Sequence, residues 1–123
     1  MSKKESIFKS FEYAGAGVGD ALKNEPNMRV HIFLGLAAIV LAFVLKFNPV
    51  EWAILFLTTT FVIAMELINT VLEAIVDIVS PERQEKARIA KDVSAAFVLL
   101  SAIAAAAVGI VLYLPKILLL LSA

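Results

Sequence analysis

The stretch "FVIAMELINTVLEAIVDIV", residues 61–79, decides the fold, because it is apolar enough for a lipid bilayer and yet carries three carboxylates. On a helical wheel with about 100° per residue, its polar groups fall within about one quadrant. These are Glu66, Asn69, Thr70, Glu73 and Asp77. The opposite face is apolar, so the pattern predicts a helix with one polar stripe.

The composition of the chain places this helix in a small integral membrane protein. Of its 123 residues 61% are hydrophobic, and the mean hydropathy is +0.90, well above that of soluble domains. The 11 basic and 11 acidic residues balance, so we expect no nucleic-acid partner. The absence of cysteine from the sequence excludes disulfides and thiolate chemistry. We predict a single domain over residues 1–123.

Three segments are long and apolar enough to cross a bilayer, which takes about 20 residues. They are residues 30–47, 52–79 and 93–114. Between the first two, "NPVE" at 48–51 predicts a tight turn, because proline does not continue a helix. Residues 80–92 are a charged connector, in which Ser80 and Pro81 are typical of a cap and the first position of the next helix.

Residues 6–23 predict a separate amphipathic helix lying in the membrane interface. Their run "AGAGVG" matches neither the dinucleotide nor the Walker phosphate-binding pattern. The small residues favour close helix packing instead. We therefore expect an all-α membrane protein with one interfacial helix and three transmembrane helices.

The basic residues predict the orientation. Nine precede the first span or lie in the connector, and two, Lys46 and Lys116, lie on the other side. Basic residues concentrate in cytoplasmic loops, so we expect the N-terminus and the connector on the cytoplasmic face of a bacterial inner membrane.

The depth of the polar stripe leaves two interpretations open. An ionisable group at mid-bilayer costs roughly 2.5–3.5 kcal/mol, and Glu66 lies deeper than Glu73 and Asp77. Interhelical hydrogen bonds that hold a bundle together are one explanation. A catalytic or transport site is the other, and it is favoured because asparagine or serine would join helices without a charge.

A second polar group is predicted at the same cytoplasmic boundary. Glu25 and Arg29 precede the first span, and Lys91 and Asp92 precede the third. Each alone is typical of a solvated interfacial charge. Together with Glu73, they form a layer suited to a magnesium–phosphate complex, because Mg²⁺ prefers oxygen ligands and an ammonium group neutralises phosphate.

With these residues assembled, the chain resembles the family of prokaryotic diacylglycerol kinases and undecaprenol kinases. The resemblance runs from "FKSFEYAGAGV" through "NEPNMRVH", "MELINTVLEAIVD" and "ARIAKDVSAAFV" to "LPK". Its most specific part is E-x-x-N-[ST]-x-x-E-x-x-x-D, followed by A-K-D at residues 90–92.

The resemblance implies a homotrimer with shared active sites that transfers the γ-phosphoryl group of ATP, with Mg²⁺, to the hydroxyl of a membrane lipid. It implies Glu66 as general base, Glu66 and Arg29 at the lipid, and Glu25 and Glu73 as metal ligands. The nucleotide site it implies consists of Tyr13, Glu25, Asn69, Glu73, Asp77, Lys91 and Asp92.

The sequence departs from the family at two positions. Many members carry arginine where this chain has Ser6 and Ala16, so contacts with phosphate or headgroup must differ here. The pieces "FKSF", Glu51-Trp52 and "LPK" look more like the undecaprenol-using branch. We expect undecaprenol or diacylglycerol as acceptor, with a preference for undecaprenol.

Two other functions are compatible with the composition. The stripe of Glu66, Glu73 and Asp77 would suit a small cation transporter or channel subunit, although residues 52–57 and 102–112 offer no polar path. An adaptor for larger membrane enzymes would bind no Mg-ATP. His31, at the start of a span, is interpreted as an interfacial anchor rather than a proton relay.

Overall fold

Four helices build the chain in a computed structural model that describes residues 3–123. They are α1 (Lys3–Asn24), α2 (Pro26–Val44), α3 (Pro49–Val79) and α4 (Glu85–Ser122). The all-α class predicted from the sequence is confirmed. Within the described residues, α2 and α4 are long and apolar enough to cross a membrane. The most extensive packing is between α3 and α4, and α2 packs on α3.

The helix α1 is longer than the predicted 6–23 and packs on the other helices only near its C-terminal end. Its single buried residue is Ala21, while Phe8 and Phe11 are exposed. An exposed aromatic face on an amphipathic helix is typical of an element that lies on a membrane surface.

The segment 48–51 begins α3, and the predicted tight turn there is wrong. Pro49 occupies the first turn of the helix, where its missing N–H leaves no bond unmade. Asn48 is the N-cap: its Oδ1 accepts from the Glu51 N–H at 2.9 Å, and its own N–H donates to Glu51 Oε2 at 2.8 Å. This capping box fixes the start of α3, which four residues separate from the end of α2.

The helix α2 begins and ends earlier than the predicted span 30–47. Pro26 is at its start, and it ends at Val44. The chain reverses at Lys46, which has a φ of 55°, and the Phe47 N–H donates to the Ala42 carbonyl at 3.1 Å.

The connector is shorter than predicted, and the expected helix start at Ser80-Pro81 is wrong. Ser80 is instead the C-cap of α3, and α4 begins at Glu85 after Gln84. The second half of the connector 80–92 is therefore helical. The helix also continues through Pro115, where the predicted span 93–114 stopped. Membrane helices tolerate an internal proline because neighbouring groups compensate for the lost backbone bond.

The apolar core lies at the end of the bundle opposite the connector. Aromatic rings pack there in a chain of neighbours with centroids 4.7–6.0 Å apart. We call this group, Phe43, Phe47, Trp52, Phe56 and Tyr113, the aromatic end. The Tyr113 hydroxyl donates to the Ala38 carbonyl at 2.6 Å, and Lys116 Nζ lies 3.2 Å from Glu51 Oε2. These contacts fix α4 against α2 and α3.

Candidate active site

Glu66 is the centre of the candidate site. It lies on α3 and is 0% exposed. Within the described chain, neither of its carboxylate oxygens has a hydrogen-bond partner. Its Oε2 lies 3.7 Å from Nε2 of His31 on α2. Burying a carboxylate without hydrogen bonds is costly, so Glu66 lowers the stability of the folded protein.

Two more carboxylates lie within electrostatic reach of Glu66, those of Glu25 and Glu73. Glu25 caps α2 with its backbone, and its side chain makes no capping hydrogen bond. Glu73 is half-buried on α3, two turns after Glu66.

A buried hydrogen-bond chain connects α4 to this cluster. Ser94 Oγ donates to Asn69 Oδ1 at 2.7 Å, and Asn69 Nδ2 donates to Glu73 Oε1 at 3.4 Å. Thr70 Oγ1 donates to the backbone carbonyl of Glu66 at 3.0 Å, so this hydroxyl does not bond to the site's carboxylates. The amide of Asn69 therefore orients the Glu73 carboxylate.

Asp77 and Lys91 pair across the α3–α4 connection, where Lys91 Nζ donates to Asp77 Oδ1. Both line a groove of about 430 Å³ beside the connector, together with Arg83 and Arg88. The lining has three basic and three acidic side chains, so the groove carries mixed charge, and Arg88 and Lys91 are paired with acids.

The other predicted site residues are placed differently. Asp92 follows Lys91 in the sequence, but its side chain pairs with a different residue: Oδ2 accepts from Arg88 Nη1 at 2.6 Å. Tyr13 is 69% exposed on α1, and Arg29 is exposed at the start of α2. Among residues 3–123, no side-chain hydrogen bond, ion pair or ring contact joins Tyr13 or Arg29 to the rest of the site.

An apolar groove of about 300 Å³ leads from the Glu66 region toward the aromatic end. It starts at His31 and runs past Gly35, Leu55, Ala105, Gly109 and Tyr113. Its hydroxyl groups bond to backbone: Thr58 to Ile54, Thr59 to Leu55, and Tyr113 to Ala38. The groove thus presents hydrocarbon surface with few free polar atoms.

Two site residues were not identified from the sequence. His31, interpreted as an interfacial anchor, instead faces Glu66. Ser94 gave no signal, since one serine in an apolar helix is common. Ser94 follows Lys91 by three residues, which places both side chains near one face of α4. This spacing was the only sign in the sequence that Ser94 belongs to the site.

The site thus consists of a buried carboxylate, Glu66, with half-buried carboxylates near it, in a helical protein with two helices apolar enough to cross a membrane. The family model described as prokaryotic diacylglycerol kinase matches residues 12–113. The chain therefore belongs to this family.

Individual relatives agree. The chain is 45% identical over 114 residues to a diacylglycerol kinase of Synechocystis sp., covering 92% of this chain and 65% of that protein. It is 32% identical over 111 residues to the undecaprenol kinase of Bacillus subtilis, covering 90% of each. It is 35% identical over 105 residues to a diacylglycerol kinase of Haemophilus influenzae, covering 85% of this chain and 86% of that protein.

The comparisons confirm the family and the enzyme class predicted from the sequence, a phosphotransferase with an alcohol group as acceptor. Together with the apolar helices, they also support a membrane protein. The names of the relatives include both acceptors expected from the sequence.

Proposed function

We propose that the chain is an ATP- and Mg²⁺-dependent lipid kinase that transfers the γ-phosphoryl group to the hydroxyl of a membrane lipid, diacylglycerol or undecaprenol. The observation that carries the proposal is the burial of Glu66 with both oxygens free of hydrogen bonds. A carboxylate held in this state is available to accept a proton, which suits the general base of an alcohol phosphorylation.

The position of Glu66 in the helix supports a lipid acceptor. Glu66 lies about three to four turns inside α3 from Ser80, below the groove at the connector. A lipid hydroxyl reaches this depth, whereas the nucleotide is supplied from water. The apolar groove that begins at His31 is the place for the hydrocarbon chain of the acceptor.

The carboxylates of Glu25 and Glu73 fit a bound Mg²⁺. Mg²⁺ is commonly held by one or two carboxylates together with substrate phosphates, rather than by a complete protein cage. Among the residues that the structure describes, no group of three or more acidic, histidine or cysteine side chains forms such a cage. When bound, the ion would neutralise charge on the transferred phosphoryl group, and Asn69 would hold Glu73 in position for it.

The place of Lys91 in the groove beside the connector, with Arg83 and Arg88, supports a phosphate-binding role for its ammonium group. When a nucleotide binds, Lys91 would release Asp77 and pair with a phosphate oxygen instead. Asp92, bonded to Arg88, would orient that guanidinium at the groove rather than contact the nucleotide itself.

We further propose three membrane spans, an N-terminus and active site on the cytoplasmic side, and a homotrimer with shared sites. The exposed positions of Tyr13 and Arg29 support sharing, because within one chain these residues lie apart from the cluster. The many large apolar residues exposed on all helices support burial in lipid and against other copies.

The structure favours a kinase over a cation path along the helices. A path requires polar groups toward the aromatic end, but the hydroxyls of Thr58, Thr59 and Ser101 all donate to backbone of their own helices. The carboxylates instead collect toward the connector.

Membrane vesicles supplied with labelled ATP and a panel of diacylglycerol, undecaprenol and ceramide test the proposal. We expect label in one lipid class, and its loss when Mg²⁺ is chelated. Cation flux measured in the same vesicles without ATP provides the comparison. Flux without lipid labelling would contradict the kinase and support the transporter.

A further inference from the structure

The contact between His31 and Glu66 is the one charge relationship of the cluster that the proposed function leaves unused. The two atoms, His31 Nε2 and Glu66 Oε2, are 3.7 Å apart, and the side chains are 16% and 1% exposed. An imidazole and a carboxylate this close, both withdrawn from water, form an ion pair when the histidine is protonated.

The other groups around Glu66 make this contact important. The titratable groups whose charges act on Glu66 are His31 and Glu25 from the α2 segment and Glu73 from α3 itself. On α4, the buried hydroxyls of Ser94 and Ser101 donate to Asn69 and to the Val98 carbonyl. Among residues 3–123, His31 is therefore the basic side chain in ion-pair range of Glu66, while Glu25 and Glu73 are the carboxylates proposed to hold Mg²⁺.

We propose that His31 is a positioning residue that orients the Glu66 carboxylate and holds it ionised inside the apolar bundle. This inference rests on the proposed lipid kinase function. An opposite charge within about 4–6 Å favours the charged form of a carboxyl group by roughly ten- to a thousandfold. Without His31, the described residues leave the buried Glu66 carboxylate with no opposite charge beside it.

The proton of the alcohol passes through Glu66 to water. The lipid O–H bond breaks and its proton goes to Glu66. At the same time the lipid oxygen bonds to the γ-phosphorus, and the bond from that phosphorus to the ADP oxygen breaks. When the products leave, Glu66 gives the proton to water, so one proton leaves per turnover and the contact with His31 is restored.

Charge-exchange variants of the whole protein in lipid vesicles test the inference. With the acceptor identified on wild type, we expect His31→Gln to lower kcat at neutral pH by about tenfold or more, with KM for Mg-ATP unchanged. The deficit should shrink as the pH rises, because hydroxide then ionises Glu66. His31→Lys should recover part of the rate, since it returns a positive charge. Ser101→Ala, a buried change with no charge, serves as the matched control.

Infrared spectroscopy of the purified protein adds a measurement that does not need turnover. The carbonyl stretch of a protonated carboxyl group, assigned to Glu66 by its loss in Glu66→Gln, should grow in His31→Gln and not in Ser101→Ala. Wild-type rates in His31→Gln at every pH would overturn the inference, as would an equal loss at every pH with no recovery in His31→Lys. Inactive wild type would overturn the kinase proposal instead.

Discussion

Ser94 on α4 donates a 2.7 Å hydrogen bond to the amide oxygen of Asn69 on α3, and both residues are buried. Because the oxygen of Asn69 is occupied in this way, its NH₂ group is turned toward Glu73. A side chain in the third predicted span thus determines which way an amide faces in the second. The orientation of a carboxylate proposed to bind metal depends on this interhelical bond.

Replacing Ser94 by alanine should therefore affect both stability and nucleotide binding. The change leaves the buried Asn69 oxygen without its donor, which costs about 1–3 kcal/mol. We expect a lower midpoint of thermal unfolding in detergent and weaker apparent affinity for Mg-ATP. Ser101→Ala is the control, because the Ser101 hydroxyl bonds only within its own helix. Equal effects of the two changes on Mg-ATP affinity would argue against the orienting role.

Glu66→Gln should abolish phosphorylation while nucleotide affinity stays nearly intact. The amide has almost the same shape as the carboxyl group and cannot accept the proton of the alcohol. A loss of about a hundredfold or more in kcat is the expected scale for a general base. Turnover with the labelled lipid and equilibrium binding of Mg-ATP measure the two effects separately. A variant that phosphorylates lipid near the wild-type rate would remove the base assignment.

Glu73→Gln should raise the Mg²⁺ concentration needed for half-maximal activity. It removes one of the two anionic oxygen donors proposed for the ion, and oxygen ligands of this type hold Mg²⁺. Glu51→Gln removes a carboxylate at the aromatic end and should leave the Mg²⁺ requirement unchanged. The comparison is a titration of activity with Mg²⁺ at fixed ATP. An unaltered titration in Glu73→Gln would exclude its metal role.

Asn48→Ala should lower stability without altering the chemistry. It breaks the capping box at the start of α3, which costs about 0.5–2 kcal/mol. Unfolding in detergent measures the loss, and kcat on the lipid acceptor should match wild type in the variant that remains folded. Val50→Ala, at an exposed neighbouring position, controls for a general effect on the helix start.

The features that depend on periodicity could be predicted from the sequence. The stripe from Glu66 to Asp77 is a property of one helix, so its spacing alone places Glu66, Asn69 and Glu73 on a common face. The sequence also predicted Glu25 near Glu73, because the ends of the spans were expected to meet at one membrane boundary.

Features that depend on how helices rotate against each other could not be predicted. The contacts of His31 with Glu66 and of Ser94 with Asn69 join residues 35 and 25 positions apart, and no spacing rule relates them. The proline errors have a different cause. Proline is compatible with a first turn or with an internal position in an apolar helix, so Pro49 and Pro115 did not end the elements as expected.

The link between Lys116 and Glu51, with the Lys116 ammonium 5.6 Å from the centre of the Phe47 ring, has a mechanical consequence. It fastens α3, α4 and the loop between α2 and α3 at one extremity of the bundle, where aromatic rings also pack. The opposite extremity relies on polar pairs and a short non-helical joint at residues 80–84. Movements of the helices relative to one another should therefore pivot about the fastened end, with the largest amplitude at the connector.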